Sequence, residues 1–248
     1  MRIAVAGGTG VVGRYVVEAA EEAGHDVAVL TRSTGVDLVS GEGLTAGLDG
    51  VDVVIDAANA DSNDQEAATS FFRSATANLQ RLGYAAGVQR LIVLSIVGID
   101  RVPTGYYAAK LEHERVALEG SVPTGIIRAT QFHEYAAQIV TWSREGDVAR
   151  IPDHRVQTVA ARTVAERLVA AAESGASGIT EVAGPEPAQL LDLSTRFVQT
   201  FDWGVEVIGF DPGVPPGSRL PGDAAFLGGP SFDDWLPTAD AAQIALLL

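Results

Sequence analysis

The sequence has no cysteine and a single lysine, and both shortages narrow the chemistry open to it. Without cysteine there are no disulfides, no thiolate metal ligands and no thiol nucleophile. Of the 17 basic residues, Lys110 is the one lysine and the other 16 are arginine. Positive charge is itself scarce: 32 acidic residues leave a formal charge of −15. Such a charge opposes approach to a polyanion, which argues against nucleic acid or an anionic membrane as the main partner. No run reaches the ~18 to 20 apolar residues of a membrane helix, and the N-terminus lacks the basic segment and long apolar core of a signal peptide. A soluble, cytoplasmic protein is expected. Among the four histidines and the many acids no cluster has metal-ligand spacing, so no metal is expected.

What is present is a glycine-punctuated start. The apolar run Ile3 to Ala6 meets Gly7, Gly8, Gly10 and Gly13, and Val12, Tyr15, Val16, Ala19, Ala20 and Ala23 then recur at helical spacing until Gly24. That is a strand, a tight turn and an amphipathic helix. Glycines in such a turn let the backbone approach a pyrophosphate, whose charge the helix start favours. The spacing fits two registers, Gly7-x-x-Gly10-x-x-Gly13 and Gly8-x-Gly10-x-x-Gly13, and the expected cofactor contacts are Gly7, Gly8, Thr9, Gly10, Val11, Val12 and Gly13.

Strand and helix patterns then alternate as far as Arg144. Strands are expected at 26–31, 52–58, 90–95 and 124–128, with a short one at 36–39. Helices are expected at 41–48, 64–86, 106–119 and 131–144. Unbroken alternation predicts an α/β fold with a doubly wound, mostly parallel sheet. At 248 residues and 47% hydrophobic content one domain is expected, with a dinucleotide-binding core over about 1–150 and a small substrate-side lobe over about 151–248. In that lobe strands are expected at 156–160 and 179–182, helices at 162–173 and 190–201, and an extended loop at 210–230, rich in proline and glycine.

The end of the second strand discriminates between dinucleotides, since an acid there accepts from the ribose of NAD whereas an arginine accommodates the extra phosphate of NADP. Thr31, Arg32 and Ser33 occupy it, so NADPH is expected, with NADH the lesser alternative. Arg14 is a looser candidate for the same phosphate, and Asp26 and Asp37 keep a residual NAD reading. Tyr106 and Lys110, four apart on a helix, share a face, and an ammonium near a phenol lowers its pKa towards useful acid/base range.

Gly7-x-x-Gly10-x-x-Gly13, Ser95 at a strand end and Tyr106-x-x-x-Lys110 together resemble the short-chain dehydrogenase/reductase superfamily. The stretches G-G-T-G-V-V-G, L-S-I-V-G-I-D, Y-Y-A-A-K-L-E-H-E and I-I-R-A-T-Q-F are similar to its atypical, NmrA-like branch. The resemblance favours the first register and implies a Rossmann-like NADPH-dependent reductase acting on a carbonyl, or another polarised double bond, of a small molecule. It implies Tyr106 as proton donor, Lys110 holding the nicotinamide ribose, and Ser95 orienting the substrate carbonyl. Ala57, Ala58 and Asn59 would line the adenosine side, and Thr130, Phe132, His133 and the loop 210–227 the substrate. His25, His113 and His154 read as structural or solvated, His113 lying on a charged helix face. Two other readings stay open: a non-catalytic NADP(H)-sensing regulator, and an epimerase or dehydratase that retains NAD. A monomer or homodimer is expected, and the apolar end I-A-L-L-L packs either inward or against a partner.

Overall fold

A computed structural model describes residues 1–239; the I-A-L-L-L end lies outside them. In chain order the elements are β1 (Arg2–Ala6), α1 (Gly13–Glu22), β2 (Asp26–Leu30), α2 (Leu44–Gly47), β3 (Val53–Asp56), α3 (Gln65–Ala86), β4 (Arg90–Ile96) and α4 (Tyr106–Glu119). They continue with β5 (Thr124–Ala129), α5 (Tyr135–Ser143), β6 (Arg144–Glu145), β7 (Val148–Pro152), β8 (Arg155–Val156), α6 (Ala161–Ser174) and β9 (Gly178–Ala183). The remainder is β10 (Ala188–Gln189), α7 (Leu190–Thr200), β11 (Glu206–Phe210), β12 (Phe226–Leu227) and α8 (Phe232–Trp235).

Two compact units divide this chain, and neither is continuous. The first is Met1–Arg128 with Val164–Thr180, the second Ala129–Thr163 with Glu181–Leu248. The sequence places one change of character near residue 150, whereas the chain leaves the first unit after Arg128 and returns to it at Val164.

In the first unit the sheet runs β9-β5-β4-β3-β1-β2, and β1 pairs in parallel with both β2 and β3. Pairing of β3 with β4 is also parallel. The fold is α/β and Rossmann-like. The chain passes from β1 outward to β2 and then crosses back to β3 on the other side of β1, so the sheet reverses its direction of growth at β1, the place such sheets offer a ligand. Continuous apolar strands bury this sheet: all four residues of β3 and the last four of β1 are buried. Leu30, Val54, Leu79, Leu91, Val93 and Ile126 form its core.

The strand expected at 36–39 is absent, leaving β2 at the edge. Gly35, Gly41 and Gly43 adopt φ of +81°, +80° and +72°, which turns the chain rather than extending it. Asn78 of α3 then satisfies the loop, its Nδ2 donating to the carbonyls of Leu38 at 3.0 Å and Val39 at 2.8 Å.

The second unit has its own core, built from Ala136, Val140, Ile151, Leu190, Leu193, Phe197 and Phe232. Its small sheet, β11-β7-β6, was not expected from the sequence, because each strand is short and bordered by Gly146, Pro152 or Gly204. The strand expected at 156–160 shrinks to β8, which pairs antiparallel with β10. The last residues of β9 pair with β12 inside the expected loop, giving the main sheet seven strands. Helix α5 begins at Tyr135, four residues later than expected. No helix among the described residues is long and apolar enough to cross a membrane.

Candidate functional site

The glycine turn is shaped by backbone contacts. A Cβ on Gly7, whose φ is +74°, would meet Ala58 Cα at 2.7 Å and Ala57 O at 2.9 Å. A Cβ on Gly13 would collide with the Gly7 carbonyl and the Gly8 Cα. These two glycines therefore clamp the end of β1 to the end of β3 and to the start of α1. Thr9 and Gly10 remain exposed at the tip, with Val11 half-buried and Gly8 and Val12 packed inward. No side chain caps α1 and no acid sits in its first turn. Free N–H groups and an unopposed helix dipole suit an anion there. The turn thus fits a pyrophosphate, with Ala57 and Ala58 at its flank.

At the end of β2, residues Arg32–Thr34 form a 3-10 turn capped by Thr31. Ser33 Oγ shares a hydrogen bond of 2.9 Å with Thr31 Oγ1. The Arg32 guanidinium reaches outward and pairs with Asp61 at 3.2 Å, both side chains nearly four-fifths exposed. Asp37 turns away from such a role: its carboxylate accepts from the N–H groups of Val39 and Ser40, which hold its pKa below the ordinary value. Arg14 lies over the Tyr15 ring, 4.8 Å from its centroid.

Helix α4 has the bounds the sequence indicates, and its buried face carries Ala109, Lys110, His113, Glu114 and Ala117. Three of these five are ionisable, so partners from other strands must satisfy them. Lys110, only 4% exposed, donates to Leu94 O at 2.8 Å and to His113 Nδ1 at 2.8 Å. His113 Nε2 lies 3.0 Å from Asp56 Oδ2 at the end of β3. Glu114 takes a two-pronged bond from Arg128, at 2.8 and 2.7 Å, and Arg128 also reaches Asp100 at 2.8 Å. Phe72 sits among them, stacked on His113 at 4.6 Å, under the Lys110 ammonium at 4.6 Å and edge-on to Tyr106 at 5.9 Å.

Burial sets the protonation of this cluster. It pushes Lys110 down to about 8, against the opposing charges of Asp56 and Glu114. It also lowers His113, helped by the Lys110 charge. For Asp56 burial acts upward, yet the His113 bond, the Ala58 N–H and the nearby charges hold it below the ordinary carboxylate value.

Tyr106 departs from expectation. Its hydroxyl donates to Asn59 Oδ1 in a short hydrogen bond, and burial, with a smaller contribution from Tyr107, raises its pKa. The Lys110 ammonium, which the sequence sets beside this phenol, donates instead to Leu94 O and His113 Nδ1. Asn59, expected on the adenosine side, is the phenol's partner.

Ser95 lies near the end of β4 at 1% exposure, and its Oγ finds no hydrogen-bond partner among the described residues. His113 is neither solvated nor on an exposed charged face, as its partners require. Asp56, His113 and Phe72 were missed in the sequence. An acid inside the apolar run D-V-V-I-D was the available signal, since a buried acid needs a partner.

The expected substrate residues belong to the second unit, and two of the three are internal struts. Thr130 Oγ1 donates to Gln157 O at 2.6 Å. His133 is fully buried, with Nδ1 2.8 Å from Thr158 Oγ1, Nε2 3.2 Å from Pro230 O, and Phe232 and Trp235 against its ring. Phe132 is half-buried and bridges its backbone to Val159. Among the described residues no group of three or more His, Asp or Glu side chains could hold a metal.

Residues 3–99 match the NAD dependent epimerase/dehydratase family. The photosystem II assembly factor Ycf39 of Synechocystis sp. is 32% identical over 117 residues, 42% of this chain and 36% of that protein, so the chain matches about a third of that relative's length. Among solved structures, a short-chain dehydrogenase/reductase superfamily protein from Agrobacterium tumefaciens with bound NAD has a TM-score of 0.72 and 18% identity, over 100% of this chain and 98% of that one. UDP-N-acetylglucosamine 4-epimerase from Bacillus cereus gives 0.69 and 18%, over 100% and 96%. dTDP-4-dehydrorhamnose reductase from Yersinia enterocolitica gives 0.67 and 17%, over 100% and 99%. At these identities the likeness shows a shared fold.

Proposed function

We propose that this chain is an NADP(H)-dependent reductase of the NmrA-like branch of the short-chain dehydrogenase/reductases, reducing a carbonyl or other polarised double bond of a small molecule. The family match over 3–99 covers the glycine turn, β2 and β3, so it supports nicotinamide dinucleotide binding by this half of the chain. Arg32 supports the phosphorylated form, standing exposed where an NAD site carries an acid.

The observation that carries this reading is the Tyr106 hydroxyl, held by Asn59 at the start of α4. Burial raises its pKa, so the phenol holds its proton at rest and, as the weaker acid, gives it up only as negative charge develops on the substrate oxygen. A nicotinamide bound at this site would supply the hydride. Tyr106 then breaks its O–H bond, and the proton goes to the substrate oxygen. Asn59, whose Oδ1 accepts the phenol's hydrogen bond at rest, keeps the hydroxyl aimed and must give up that bond when the hydroxyl turns to a substrate.

Tyr106→Phe tests this, because it keeps the ring against Phe72 and removes only the hydroxyl. NADPH oxidation against a panel of carbonyl compounds is expected to fall ~10²- to 10⁴-fold, with NADPH affinity unchanged. Unaltered turnover of a genuine substrate would remove the proposed donor. The family match also favours a second reading, an epimerase or dehydratase holding its nicotinamide through the cycle. Cofactor retained through purification would select that reading.

A further inference from the structure

An ammonium buried among apolar residues ordinarily loses its proton or is replaced, since well-packed hydrophobic side chains of similar volume are often as stable or more so. Lys110 is the one lysine of the chain and lies in its interior. Two of its three N–H bonds are committed to Leu94 O and His113 Nδ1. An ammonium has no lone pair to offer, so Nδ1 must be the acceptor and the imidazole proton sits on Nε2, where it is donated to Asp56 Oδ2. The second Asp56 oxygen accepts from the Ala58 N–H at 3.0 Å. The groups facing Lys110 are therefore Asp56 of β3, the Leu94 carbonyl of β4, the Phe72 ring of α3, and His113 and Glu114 of its own helix, Glu114 being occupied by Arg128 of β5.

We propose that His113, backed by Asp56, is the positioning residue of Lys110: a neutral imidazole carries the carboxylate's influence to the ammonium, fixing its place and holding its charge. Asp56 is too well sealed to pass a proton outward, being 2% exposed with both oxygens bonded, so the chain anchors a charge and does not relay one. One N–H of Lys110 remains, which limits it to a single hydrogen bond with a ligand hydroxyl. The use made of that charge rests on the reductase reading above; the anchoring itself needs no nucleotide.

A single lysine makes the test direct. Protein labelled with ¹³Cε-lysine gives one side-chain resonance, whose pH titration reports Lys110 alone. In the wild type a midpoint near 8 is expected. Asp56→Asn keeps an acceptor for His113 but removes the charge, and is expected to lower the midpoint by about one pH unit or more. His113→Phe keeps the stacking on Phe72, loses both ring nitrogens, and is expected to do the same, while His113→Asn, with an acceptor at the δ position, restores part of the shift. An unmoved midpoint in folded Asp56→Asn and His113→Phe protein overturns the proposal. Should these variants not fold, ¹⁵N spectra of the wild-type histidines decide it: His113 with the proton on Nε2 at neutral pH supports the anchor, and the proton on Nδ1 refutes it. Neither measurement involves a nucleotide, so failure to bind NADPH would count against the reductase reading alone.

Discussion

Replacing Arg32 by alanine separates the two dinucleotides, and the geometry sets the size of the effect. A guanidinium on a phosphate makes charged hydrogen bonds worth ~1.5 to 3 kcal/mol. Against that stands the pair with Asp61, which must be given up; with both side chains nearly four-fifths exposed it is worth only ~0.2 to 1 kcal/mol. The difference, ~0.5 to 2.8 kcal/mol, corresponds to ~2- to 100-fold in affinity. Calorimetric titration with 2′,5′-ADP and with 5′-ADP isolates the extra phosphate from the rest of the nucleotide. Arg32→Ala is expected to weaken 2′,5′-ADP by that factor and to leave 5′-ADP within about twofold. Asp61→Asn is expected to act oppositely, tightening 2′,5′-ADP by up to ~5-fold because the competing carboxylate is gone. Equal weakening of both ligands, or of neither, would refute the assignment of Arg32 to a 2′-phosphate.

Two further outcomes concern stability. Burial pushes His133 down to about 4 from an ordinary 6.5, so its contribution is complete above pH 6.5 and is lost as pH falls through 4. Between pH 7 and 4.5 the loss amounts to about 2 to 3 kcal/mol; His133→Phe should therefore show a shallower fall in melting temperature over that range than the wild type, and parallel falls would contradict it. Gly13→Ala drives a Cβ into the Gly7 carbonyl, whereas Gly24→Ala at φ +81° meets nothing within 4 Å. Chemical denaturation should give ~2 kcal/mol or more for the first and ~1 to 2 kcal/mol for the second, and a larger loss at Gly24 would refute the clamp between the strand ends.

Where sequence carries its own punctuation, the fold was readable. Helix α3 begins with the Asp64 side chain accepting from the Ala67 N–H and stops at Gly87 with φ +83°, both local signals. The glycine turn declares itself in the same way. Residues 36–39 misled because an apolar pattern reads as a strand while the flanking glycines, set in the left-handed region, bend it into a loop. Helix α4 was placed correctly, but His113 was set on a charged outer face although it is buried. Lys110, His113 and Glu114 follow the spacing of a buried face and have the composition of an exposed one; what reverses the reading is Asp56 and Arg128, far away in sequence. Tyr106 was legible as a residue but not in its pKa, which depends on how deeply neighbouring elements cover it.

The discontinuity of the two units bears on how the chain is made. A ribosome delivers Met1–Arg128 first, yet Val164–Thr180, which supplies most of α6 and the first residues of β9, arrives only after Ala129–Thr163 of the other unit has emerged. The five strands β1 to β5 therefore spend part of synthesis with the flank of β5 uncovered. A fragment ending at Arg128 would keep that bare edge permanently, with backbone donors and acceptors open to any passing strand. The first unit is thus complete only once residues well past Arg128 have been made, and cutting the gene between the units is expected to yield an aggregating piece instead of a folded domain.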